Sequence, residues 1–160
     1  MELPMKSDLE KAKALLRNGK YTCVICSGDN IYTSTERGVK PLLAWTDSKT
    51  DMKGFSAADK VIGKAAAFLY VILGVDSVYA DIISEPAKAI FEEKGIALEY
   101  GLLVQAIKNR SGTGFCPMET AVKSIFEPSA ALEAIRKKAA ELAENPSPGN
   151  SLSDTSRNNQ

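Results

Sequence analysis

The run from Asn109 to Glu119, NRSGTGFCPME, concentrates the groups in this chain best suited to chemistry. A glycine-containing loop leads straight into a helix start at Cys116-Pro117-Met118-Glu119. Free amides at a helix N-terminus, backed by the helix dipole, form an anion site. Gly112 and Gly114 allow the backbone to approach a ligand closely, and Thr113 adds a hydroxyl. Arg110 offers a two-pronged fork for phosphate or carboxylate. No Gly-Lys-Ser/Thr follows, so this is not a P-loop. The same residues also read as a turn before a capped helix, with Glu119 as the capping partner. Cys116 falls at the first turn, where the dipole favours thiolate. One reading makes it a nucleophile, with Glu119 as the second catalytic candidate; the other makes it a small buried cap residue.

The chain of 160 residues contains no histidine. That excludes a histidine general base, Ser-His-Asp and Cys-His triads, and His-ligated metal. Any base for Cys116 must then be a lysine, a carboxylate or the helix dipole. Lys60 and Lys64 lie four apart in a segment, Ser56 to Leu73, that reads as one helix with Ser56 as its cap and Asp59 at the third position. On that reading the two lysines share a face. They either contact an anionic ligand, with Asp59 as partner, or form a solvated face. Cys23 and Cys26 form C-x-x-C within YTCVICS, which reads as a strand. Alternation then sends them to opposite faces, so the pair is expected to be buried packing rather than a metal or redox site.

These groups need a scaffold. Ser7 and Glu10 open a first helix that ends at Gly19, and residues 21–27 and 30–35 form a hairpin about Gly28-Asp29. A short helix follows at 41–45. The 56–73 helix ends in AAAFLYVIL, apolar on every side and therefore buried all round. Residues 75–83 read as a strand, Ser84-Glu85-Pro86 as the start of a helix to Gly95, and 96–100 as a short strand. Residues 102–107 form another short element, and helices are expected from 117 to about 125 and from 129 to 144. The pattern predicts an α/β protein: a three-layer α/β/α sandwich with a mixed sheet. Residues 1–144 form one domain, and 145–160, NPSPGNSLSDTSRNNQ, a polar tail unable to bury a core.

Twenty basic and twenty acidic residues cancel, which argues against a nucleic-acid grip or an anionic membrane surface. No apolar run approaches the length of a membrane span. The start lacks a signal-peptide core, and three cysteines suit a reducing compartment, so a cytoplasmic location is expected.

Three stretches, STERGVKPLL (34–43), GFSAADKVIGKAAAFLY (54–70) and NRSGTGFCPMETAV (109–122), resemble an uncharacterised prokaryotic domain-of-unknown-function family with a cytidine-deaminase-like fold. The resemblance covers about residues 8–140 and implies the fold without implying an activity. Deaminases hold zinc with His or Cys at the start of one core helix and P-C-x-x-C at the next, beside a proton-shuttling Glu. Neither Ser56-Ala57-Ala58-Asp59-Lys60 nor Ser84-Glu85-Pro86-Ala87 supplies such ligands, so neither a metal nor a cofactor is expected. The sequence points to a metal-free domain binding a small anionic molecule, such as a nucleotide or phosphorylated metabolite, through Asp59, Lys60, Lys64, Arg110, Gly112, Thr113 and Gly114. The alternatives are a Cys116-dependent transferase or hydrolase acting on a nucleotide-like substrate, and an interaction module.

Overall fold

The structure, a computed structural model, describes residues 7–36, 38–108 and 116–144. Arg110, Gly112, Thr113, Gly114 and the expected tail at 145–160 lie outside the described residues.

Helix α1 (Asp8–Asn18) begins where Ser7 Oγ accepts from the Glu10 amide at 3.1 Å, a side-chain cap of the kind the sequence announces. Strands β1 (Cys23–Ser27) and β2 (Asn30–Ser34) form the expected antiparallel hairpin. Gly28 sits at its tip with φ +58°, a conformation glycine adopts without steric cost. Helix α2 spans Lys40–Asp47.

The next segment departs from the sequence reading. Ser56–Ile62 is a strand, β3, and the helix starts only after Gly63, as α3 (Lys64–Leu73). β3 is the middle strand of the sheet, antiparallel to β1 and parallel to β4 (Ser77–Ser84). Ser-Ala-Ala-Asp-Lys has helical propensity and a cap-like spacing, but pairing on both sides outweighs so weak a local preference. Asp59 and Lys60 are therefore strand residues, Ser56 caps nothing, and Lys60 and Lys64 do not share a helix face.

Helix α4 covers Glu85–Glu93, and β5 runs as one strand from Ala97 to Val104, parallel to β4. It replaces the two short elements expected at 96–107. Gly101 allows this continuity: a Cβ there would lie 3.0 Å from the Asp81 carbonyl oxygen. Helix α5 is only Pro117–Ala121, and α6 spans Pro128–Glu144.

The result is an α/β chain with a mixed sheet in the order β2-β1-β3-β4-β5. On one face, Ala12 and Leu16 of α1 pack against Val24, Cys26, Ala58 and Tyr79. On the other, Cys23, Ile25, Ala57, Val78 and Ala80 meet Leu42, Phe68, Tyr70, Phe91 and Ile135 from α2, α3, α4 and α6. Cys23 and Cys26 point to opposite faces, as the strand reading requires. No described helix is long and apolar enough to cross a membrane.

Candidate functional site

Parallel strands β3 and β4 end side by side, at Ile62 and Ser84, and each feeds a helix. The N-termini of α3 and α4 thus open at the same edge of the sheet. Each helix start leaves amides without intrahelical partners, and the two solve this differently. In α4, Ser84 Oγ accepts from the Ala87 amide at 3.3 Å. α3 is preceded by Gly63, which has no side chain to offer. Its acceptor arrives from α5: Glu119 Oε1 takes the Lys64 amide at 2.7 Å and Oε2 the Ala65 amide at 2.9 Å. A carboxylate on a helix N-terminus combines charge-assisted hydrogen bonds with a favourable dipole.

Gly63 makes room for this contact. A Cβ at that position would lie 2.6 Å from the Glu119 carboxylate. Its backbone is extended, at φ −101° and ψ −176°, so the need for glycine is one of space rather than dihedral freedom.

The Lys64 side chain turns from its own backbone towards the other end of the α5 turn. Its Nζ donates to the Lys123 carbonyl at 3.0 Å and lies 4.7 Å from the centroid of the Phe126 ring. Burial lowers the pKa of this ammonium, and the Glu119 charge opposes that shift. Among the described residues no carboxylate lies within ion-pair distance of it, because Glu119 spends both oxygens on backbone amides. Beside Lys64 and Glu119 is a cavity of about 260 Å³, lined also by Pro86, Ala106, Thr120 and Lys123.

Of the residues singled out from sequence, Lys64 and Glu119 come together here. Lys60 stays on β3, with Nζ 3.9 Å from Asp81 Oδ2 on a half-exposed surface, and does not line the cavity. Asp59 is buried in the core. Its Oδ2 accepts from Tyr70 Oη at 2.6 Å and its Oδ1 from the Val61 amide at 3.2 Å. Tyr70 Oη also lies 3.1 Å from Cys23 Sγ. Burial drives the Asp59 pKa up to about 7, against the hydrogen bonds from Tyr70, Val61 and Lys60, with Asp81 adding repulsion. Burial first and the Asp59 charge second raise the Cys23 thiol as well. This Cys23–Tyr70–Asp59 chain escapes sequence reasoning because its members come from β1, α3 and β3. Pro86 was legible as a helix-start proline. Ala106, Thr120 and Lys123 carried no signal.

Cys116 takes the capping position of α5, but its side chain makes no capping bond. Its amide donates to the Ile107 carbonyl at 3.2 Å. It does not line the cavity, and a helix of five residues has a weak dipole. Cys23 and Cys26 are buried, whereas Cys116 is partly exposed. A thiol reagent added to the native protein should therefore modify one cysteine quickly and the other two only on unfolding. Peptide mapping after partial labelling should place the fast adduct on Cys116; rapid labelling of Cys23 would contradict the core described here.

The search of curated proteins returns no match. The chain resembles the crystal structure of a DUF1893 family protein (TM1506) from Thermotoga maritima, with a TM-score of 0.72 and 25% identity over 86% of this chain and 92% of that one. The family model described as TM1506, domain of unknown function (DUF1893), matches residues 11–139. That span takes in the sheet, the Gly63–Glu119 contact and the whole lining of the cavity, and the chain belongs to this family.

Proposed function

We propose that this chain is a metal-free small-molecule-binding domain that takes an anionic ligand into the cavity between the starts of α3 and α4. The observation that carries the reading is Lys64. Lys64, a residue only 9% exposed, holds its positive charge against one carbonyl and the faces of Phe68 and Phe126, with no carboxylate in ion-pair distance among the described residues. A buried ammonium so sparsely compensated is costly, and a ligand phosphate or carboxylate would relieve the cost. The cavity, at about 260 Å³, is slightly smaller than most ligand sites, which run from roughly 300 Å³ upward. It suits a base-sized or small phosphorylated body rather than a dinucleotide.

The order of hairpin, strand β3, buried helix α3, strand β4, helix α4 and strand β5 supports reading the scaffold as a cytidine-deaminase-like α/β/α sandwich. In that arrangement the two helix starts would carry zinc ligands. They read Gly63-Lys64-Ala65 and Ser84-Glu85-Pro86, the first of them further along the chain than the Ser56 position suggested by sequence. Neither start supplies the His or Cys ligands of a deaminase, Glu85 being the one carboxylate among these residues, and among the described residues no three His, Cys, Asp or Glu side chains gather to hold a metal.

The test is a thermal-shift panel of nucleotides, phosphorylated metabolites and small carboxylates on the wild type and on Lys64→Met, which keeps the apolar stem. A ligand at a hundredfold excess over its Kd stabilises by about 2.7 kcal/mol, roughly 5–10 °C for a chain of this size. At least one anion should give such a shift in the wild type and little in the variant. No shift from any anion, or equal shifts in both proteins, would refute the reading.

A further inference from the structure

The two edges of the sheet are built differently. β2 is five residues, Asn-Ile-Tyr-Thr-Ser, short and mainly polar. β5 is eight residues, Ala-Leu-Glu-Tyr-Gly-Leu-Leu-Val, and it closes the opposite edge. A strand paired on one side only presents every second residue's N–H and C=O outward, a template for another strand. Proteins usually blunt such an edge with proline, lysine or a covering segment. β5 contains neither residue, and among the described residues nothing pairs with its outer side.

Its apolar side chains are exposed on both faces, Tyr100 and Leu102 on one and Leu103 on the other. Tyr100, Leu102 and Leu103 are 39%, 55% and 37% exposed. Leu102 aligns through Ile82 with Val61, which is 42% exposed, so a row of apolar residues crosses three strands and runs out to the free edge. The one charge on the strand, Glu99, is drawn to Lys13 of α1.

We infer that β5 is an interface between two copies of this chain, which pair their β5 strands antiparallel about a two-fold axis and continue the sheet from one protomer into the other. The occupant follows from self-complementarity: a two-fold pairing needs a strand that can face its own reverse. Centred on Gly101, the pairing sets Tyr100 against Leu102, Leu98 against Val104 and Glu99 against Leu103. No like charges oppose each other, and glycine at the axis lets the backbones close. Centring on Glu99 would oppose two carboxylates, which is unfavourable. Eight residues extend about 26 Å and form less than a standard interface, so the dimer should be concentration-dependent.

Sedimentation velocity of the full chain across the micromolar range should show a monomer–dimer equilibrium. Leu102→Lys places an ammonium beside the axis of each protomer and should weaken association at least about tenfold. Ile31→Lys, at the exposed β2 edge, should leave it unchanged. Both sites are exposed, so each variant should fold, which circular dichroism checks. Amide exchange in β5 should slow with rising concentration in the wild type. A chain that stays monomeric throughout, because another segment or partner takes the edge, overturns the inference. So does a dimer that survives Leu102→Lys or is broken by Ile31→Lys.

Discussion

Glu119→Ala should lower the melting temperature by roughly 6–10 °C, although residue 119 belongs to a helix of only five residues. The substitution removes two charge-assisted hydrogen bonds, to the amides of Lys64 and Ala65. Bonds of this kind contribute about 1.5–3 kcal/mol each when measured singly. The pair shares one carboxylate and is partly solvated, so about 3 kcal/mol in total is expected. Gly63→Ala should cost up to as much, since its Cβ, 2.6 Å from the same carboxylate, would push that flexible side chain off the two amides. The two effects should not add. Once Glu119 is gone the obstacle to a Cβ is gone, and Gly63→Ala in the Glu119→Ala background should be nearly neutral because its extended backbone accepts alanine. A double-mutant cycle by chemical denaturation should return a coupling of at least about 1–2 kcal/mol. Simple additivity would show that Gly63 is needed for some reason other than Glu119.

That contact also marks where sequence reasoning reached its limit. The capping role of Glu119 was legible as a local alternative, a partner three residues after Cys116. The structure keeps the role but changes the helix: Glu119 caps α3, more than fifty residues away, and no local pattern encodes a cap supplied across the fold. The β1–β2 hairpin, α1 and α4 were legible because their signals are local: Ser7 with Glu10, Gly28-Asp29 in a turn, Ser84 before Glu85-Pro86. β3 was not, because Ser56-Ala57-Ala58-Asp59 carries the propensity and spacing of a helix start and becomes a strand only through neighbours distant in sequence. The error moved Lys60 onto the wrong element and left Lys64 as the one lysine of the pair at the site. The Cys23–Tyr70–Asp59 chain was illegible for the same reason.

That buried chain gives the second large effect, a stability that falls as pH rises. The Asp59 pKa is about 7 in the folded state against an ordinary 3.8, so the folded protein holds a proton that the unfolded chain releases at lower pH. The resulting stabilisation is fully present below about pH 4 and is lost as pH rises through about 7. At about 1.4 kcal/mol per pH unit, the interval amounts to about 4 kcal/mol between its two limits. The carboxamide introduced by Asp59→Asn cannot ionise. Its carbonyl can still accept from the Val61 amide, and its NH2 can donate to Tyr70 Oη if that hydroxyl reverses to donate to Cys23 Sγ, which the 3.1 Å Oη–Sγ distance permits. The variant should therefore fold, and its advantage over the wild type should grow from about pH 4 to about pH 7 and level off above that. Urea denaturation of both proteins at several pH values isolates this group, because every other titrating side chain is common to the two. A difference in stability that does not change across that range would mean that Asp59 keeps one ionisation state throughout. Equal stability of the two proteins at its alkaline end would mean that the buried carboxylate is compensated by something other than Tyr70 and the β3 amides.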